Sequence, residues 1–161
     1  MPADVIVTAT GLTLAMGGKI AIGLDGAPVA WNKRYFYRSC MFSNVPNLFV
    51  VFGYLNASWT LRADNTAEYA CGILNLMRER GAQVVTPMLP ADHGLIDDDV
   101  YAAFSSGYLM RAKSRMPKNA DRLPWRLNMD YFEDRRDFRA RPVADGVLAF
   151  EKAPANAAEP A

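Results

Sequence analysis

The stretch GYLNASWTLRAD, residues 53–64, follows the apolar run VPNLFVVF at 45–52 and leads into a long periodic segment. Residues 48–52 read as a fully buried strand of the kind parallel sheets contain. From Ser58 to about Arg80, Ala63, Ala67, Ala70, Cys71, Leu74 and Met77 recur at helical spacings, which predicts a helix with one buried face. Asn56 or Ser58 can cap its start, and Gly81 its end. A buried strand, a glycine turn and a helix N-terminus together form the arrangement by which α/β folds hold anionic or polarised ligand atoms. The first-turn N–H groups are unpaired there and the helix dipole is positive. Gly53 permits close backbone approach, Asn56, Ser58 and Thr60 can cap or reach a ligand, and Trp59 supplies a flat wall. The same residues also fit a plainer reading, in which Asn56 and Ser58 only cap the helix and Trp59 is core.

Composition narrows the classes around this stretch. A chain of 161 residues, 51% hydrophobic and 22% charged, suits one globular domain with a real core. The net charge of +1 gives no global field toward nucleic acid or anionic lipid. No apolar run approaches the roughly 20 residues of a membrane span, and the N-terminus lacks a basic-then-apolar leader, so a cytoplasmic location is expected. Cys40 and Cys71 sit in apolar-rich surroundings without ligand spacing and read as reduced small hydrophobes.

Elsewhere the signals are local. Residues 5–7, Val-Ile-Val, read as a strand from the middle of a sheet. Residues 19–24 alternate and meet Asp25-Gly26, a hairpin turn, before 27–31 return as its second strand. Residues 36–42 read as extended, 43–47 as a turn, 83–89 as a short extended piece and 91–99 as an acidic loop. Residues 107–116 and 128–138 read as short helices, 146–152 as a last strand, and the Ala/Pro tail 153–161 as disordered. His93, the lone histidine, reads as a loop residue, and Asp97, Asp98 and Asp99 as a solvated or helix-starting run. The basic series Arg111, Lys113, Arg115, Lys118, Arg122 and Arg126 fits a solvated face, a contact to the 2′-phosphate of NADP, or a nucleic acid.

PADVIVTATGL at 2–12, VPNLFVVFGYLNASWTLRAD at 45–64, and GYLMR, MPK and PWRLNMDY between 107 and 131 together resemble the C-terminal part of Baeyer–Villiger-type flavin-dependent monooxygenases, near the ethionamide-activating group. The resemblance spans residues 2–152 and is most specific at GYLNASWTLRAD and PWRLN. It implies an α/β fold, the C-terminal portion of a flavoprotein with two Rossmann-like dinucleotide-binding domains, carrying a β-hairpin excursion and a helical C-terminal region. Residues 1–90 would then complete the FAD domain, 91–152 form a mostly helical extension and 153–161 a tail. The implied activity uses FAD and NADPH to insert one oxygen atom into a ketone or onto sulfur or nitrogen of a small molecule. Carried over by position, Thr10 and Gly11 would end a strand at the junction of the two domains, and Asn56, Ala57, Ser58 and Trp59 would face the flavin ring. Trp125, with Arg126 and Asn128, would line the nicotinamide or substrate side. The glycine-rich G-x-G-x-x-G turns and the F-x-G-x-x-x-H-x-x-x-W-P fingerprint of such enzymes are not in this sequence. The expectation is therefore a fragment or truncated reading frame, with exposed apolar strand faces, whose partner is the missing FAD/NADP portion. No catalytic residue is identified, and no nucleic acid or transmembrane segment is expected. The alternative is a non-catalytic binding module derived from that fold.

Overall fold

In the computed structural model, residues 2–102, 105–140 and 143–152 are described. Within them the chain is mixed α/β, with three two-stranded antiparallel sheets and three α-helices. The disordered tail expected at 153–161 lies outside these residues.

A parallel sheet is not formed among the described residues. Val5, Ile6 and Val7 are 79, 80 and 86% exposed and in no strand, because no other described segment offers them a ladder. The run 48–52 is irregular, with Phe52 buried and Val51 exposed. Its apolar side chains pack from a loop, so continuous hydrophobicity here marked burial and not a strand. The Asp25-Gly26 hairpin does form, between β1 (Gly23–Leu24) and β2 (Ala27–Pro28), with positive φ at both turn residues as this two-residue turn requires.

Residues 36–42, expected as one extended piece, fold back as β3 (Phe36–Tyr37) and β4 (Met41–Phe42) around a tip at 38–40. This hairpin divides the core. Phe36 and Phe42 enter one cluster with Val45, Phe52 and Leu127, while Tyr37 and Met41 enter the other with Tyr69, Ile73 and Trp125. Each such fully buried side chain contributes on the order of 1.5–3 kcal/mol. Arg38 and Ser39 adopt φ of 45° and 59° at the tip, an unusual conformation for non-glycine residues. Arg38 is compensated by ion pairs to Asp137 at 3.1 Å and Asp145 at 3.2 Å.

The turn at 43–47 has a structural task its composition only hints at. β5 (Val84–Pro87) pairs antiparallel with β6 (Leu148–Glu151) on one edge. On the other, Asn47 Oδ1 accepts from the Val85 N–H at 2.9 Å and the Val85 carbonyl accepts from the Asn47 N–H at 2.9 Å. Asn44 does the same for Leu89, donating from Nδ2 at 3.0 Å and accepting at Oδ1 at 2.9 Å. Two asparagines, both at positive φ, thus satisfy an edge that a third strand would otherwise cover.

The long helix is α1 (Trp59–Arg80), closed by Gly81 at φ 62°. Its buried stripe differs from the expected one. Arg62, Asn65, Thr66, Tyr69 and Ile73 face inward, whereas Ala67 and Cys71 are exposed and Leu74 is 55% exposed. Arg62 and Tyr69 occupy the inner face because their partners, Asp134 and Tyr37, arrive from distant segments. Cys40 fits its expected buried role, its thiol pushed up to about 12 by burial, but Cys71 does not. Among the described residues no group of metal-ligating side chains forms, and no helix is long and apolar enough to cross a membrane.

α2 (Gly107–Ala112) continues into a 3-10 turn at Lys113–Arg115, and α3 spans Tyr131–Ala140. The acidic and basic runs stay at the surface and touch there through exposed pairs. Lys113 pairs with Asp99, and Lys118 with Asp97 at 2.9 Å, while Tyr35 Oη also donates to Asp97. The Tyr35 and Lys118 donors hold the Asp97 carboxyl below its ordinary 3.8. A lowered carboxylate pKa contributes stability that is complete above the ordinary value and disappears as pH falls through the lowered one. Acidification below pH 3.8 is therefore expected to release the 97–99 loop from 118–120 first, at a cost below about 1 kcal/mol for so exposed a pair. NMR of the Tyr35 ring and Lys118 during an acid titration checks this; a shift tracking only global unfolding contradicts it.

Candidate functional site

The candidate site is the start of α1, and the residues around it explain why glycine stands at 53. A Cβ built there would lie 2.2 Å from Cγ and Cδ2 of Trp59, so the indole packs directly on the glycine backbone. The Phe52 and Trp59 ring centroids are 5.8 Å apart, leaving the indole 53% exposed beside Asn56, Ala57 and Ser58, which are all exposed. Trp59 is therefore a supported surface wall, not core. Gly53→Ala should force the indole off its seat, costing about 1–3 kcal/mol by overpacking. The double change Gly53→Ala/Trp59→Ala should recover most of that loss in urea titrations, and an additive double variant would refute the packing account.

Ser58 takes the N-cap position but does not cap, because its Oγ bonds Thr60 Oγ1 at 2.8 Å. No acidic residue lies in the first turn. The N-terminal N–H groups of a 22-residue helix thus open onto a surface edged by Asn56, Ser58 and an indole. The capping reading of Ser58 is not what the geometry gives.

A buried lock fixes this edge to the rest of the chain. Arg62, fully buried, pairs with Asp134 at 3.0 Å and donates to the Phe52 carbonyl at 3.3 Å and to the Asn128 carbonyl. Its guanidinium lies 3.9 Å from the centroid of the Tyr54 ring, and Tyr54 Oη donates to Asp134 at 2.5 Å. Burial pushes the Asp134 carboxyl up against the opposing pull of Arg62 and Tyr54, and burial raises the Tyr54 hydroxyl to about 12. One cation joins the loop before α1, α1 itself and the segment 128–134, which unites GYLNASWTLRAD with PWRLNMDY physically. Arg62, Tyr54 and Asp134 escaped the sequence reading. The available signal was an arginine set among apolar positions at the head of a helix.

The other expected residues lie apart from this edge. Thr10 and Gly11 are exposed in the irregular N-terminal segment, Gly11 at φ 98°, and the neighbouring Leu12 carbonyl accepts from Arg111 of α2 at 3.1 Å. Trp125 is 6% exposed, its ring edge-on to Tyr37 at 5.4 Å in the core. Asn128 comes nearest in role, lending its carbonyl to Arg62.

Comparison with known proteins adds relatives. The FAD-containing monooxygenase EthA of Mycobacterium tuberculosis is 38% identical over 155 residues, 96% of this chain and 31% of its own length. EthA of Mycolicibacterium smegmatis is 40% identical over 152 residues, 94% of this chain and 30% of its own. AlmA of Acinetobacter baylyi, described as a probable FAD-binding monooxygenase, is 39% identical over 152 residues, 94% and 30% of the two chains. The chain thus spans under a third of the length of these curated relatives. No family model and no solved structure matches it.

Proposed function

We propose that this chain, homologous over nearly its whole length to the C-terminal part of the FAD-containing monooxygenases, supplies the flavin-facing wall of such an enzyme. The observation that carries the reading is the uncapped N-terminus of α1, with Asn56, Ala57, Ser58 and Trp59 exposed on a loop locked by Arg62. Those residues fit the edge of a flavin: a flat indole for its ring and a positive helix end for the charge that accumulates on it when reduced. FAD, when bound, supplies the oxygen chemistry. The chain's own residues orient the ring, offer N–H groups to its polar edge and exclude water from it. NADPH is the reductant in this reading, and a ketone, sulfide or amine the substrate, in a Baeyer–Villiger or heteroatom oxygenation in the cytoplasm. Thr10 and Gly11 would meet the cofactor only when the preceding portion supplies strands for residues 5–7. Trp125 would act through the packing of the 124–128 segment.

Because a glycine-rich pyrophosphate turn is not in this sequence, the 161-residue chain alone is expected to retain no FAD; stoichiometric flavin absorbance in the purified chain would contradict that. Joined to the preceding part of a homologous monooxygenase, it should retain the cofactor. There Ser58→Ala should alter stability by no more than about 0.5 kcal/mol, since its hydroxyl caps nothing, while uncoupling NADPH consumption from product. Retained FAD with coupling untouched by substitutions at 56, 58 and 59 would overturn the reading.

A further inference from the structure

Away from that edge, α1 and α3 enclose a second concavity of about 430 Å³, lined by Asn65, Glu68, Tyr69, Arg135, Phe138 and Arg139. Three features separate it from ordinary interhelical packing. Asn65 is 7% exposed, yet its Nδ2 has no hydrogen-bond partner among the described residues, which costs stability unless something answers it. Arg135 and Arg139 stand one turn apart on α3, and neither forms an ion pair among the described residues; Arg135 donates only to the Tyr131 hydroxyl at 3.0 Å. The apolar wall is aromatic, Tyr69 and Phe138 meeting edge-on with centroids 5.2 Å apart, and the Tyr69 hydroxyl is committed to the Val143 carbonyl at 3.0 Å.

We propose that this cleft binds a small planar carboxylate, its charge held by Arg135 and Arg139, its flat body against Tyr69 and Phe138, and its polar atoms answering the Asn65 amide. Guanidinium groups match a carboxylate by paired N–H donation, and an aromatic wall favours a flat partner over a round one. Glu68, also in no ion pair among the described residues, opposes the anion from α1 and sets a ceiling on affinity. The cleft uses the middle of α1 and not its N-terminus, so the inference stands apart from the flavin reading.

Calorimetric titration of the 161-residue chain with benzoate tests it without any flavin. Benzoate should bind, benzamide at least tenfold more weakly for want of charge, and inorganic phosphate more weakly for want of a flat body. Arg139→Ala should weaken benzoate about tenfold, the scale of one charge-assisted hydrogen bond, and Glu68→Gln should tighten it several-fold. Asn65→Leu should raise the melting temperature while lowering benzoate affinity, because it removes an unanswered buried amide that the ligand uses. Equal binding of benzoate and benzamide, phosphate binding as tight as benzoate, or an affinity unmoved by Glu68→Gln and Arg139→Ala would overturn the proposal. So would a lowered melting temperature in Asn65→Leu, since the amide would then serve the fold.

Discussion

Arg62→Met is expected to cost about 3–5 kcal/mol, the scale for breaking a buried ion pair from one side. The substitution leaves Asp134 buried without its cation and takes the donor from the carbonyls of Phe52 and Asn128. For a domain whose total stability is on the order of 5–15 kcal/mol, that loss brings much of the population close to unfolding. Urea titration with circular dichroism measures it. Arg62→Met/Asp134→Leu, which removes both charges together, should recover most of the loss, because a well-packed apolar pair often replaces a buried ion pair at little cost. A double variant no more stable than the single one would mean that Arg62 acts through its carbonyl contacts alone. Any structured remnant of the single variant should show the loop 53–58 released, with Trp59 fluorescence shifted to longer wavelength.

Arg38→Met should have a comparable effect one turn further along α3, where Arg38 meets Asp137. Arg38 lies 2% exposed at the β3–β4 tip, bonded to Asp145 through Nε at 3.3 Å and Nη2 at 3.2 Å and to Asp137 through Nη1 at 3.1 Å. Tyr37 Oη donates to the same Asp145 at 3.0 Å and meets Tyr69 Oη at 3.1 Å, so the cation neutralises a network reaching three segments. Burial pushes the Tyr37 hydroxyl well above its usual range, which keeps it a donor at any working pH. About 3–5 kcal/mol should be lost, and Arg38→Lys should recover only part, since an ammonium cannot span both carboxylates with a planar fork. Thermal unfolding of the two variants decides the point, and a lysine variant as stable as the parent would refute the two-carboxylate account.

These two arginines also mark where sequence reasoning stopped. α1, its Gly81 terminus, the Asp25-Gly26 hairpin and the strands at 84–87 and 148–151 were legible because their signals are local. The inward face of α1 was not. An Ala/Cys/Leu stripe looks buried by composition, but the stripe that faces the core holds Arg62 and Tyr69, whose partners lie up to 74 residues away. The runs at 5–7 and 48–52 carried strand composition without strand neighbours, and a strand exists only if another segment completes its ladder. At the candidate site, glycine and tryptophan were readable as a pair of types; their direct stacking, and the idle N-cap hydroxyl, depended on coordinates.

The β5–β6 ladder has a topological consequence for the whole C-terminal half. Four residue pairs between 84–87 and 148–151 tie off everything between them, α2 and α3 included, as one closed ring. Lengthening that ring is cheap in chain entropy, about 0.6 kcal/mol for each doubling. Opening it is another matter. Asp134, Asp137 and Asp145, the carboxylates that satisfy both buried arginines, all lie inside the ring, so four residues at its far clasp help hold charges they never touch.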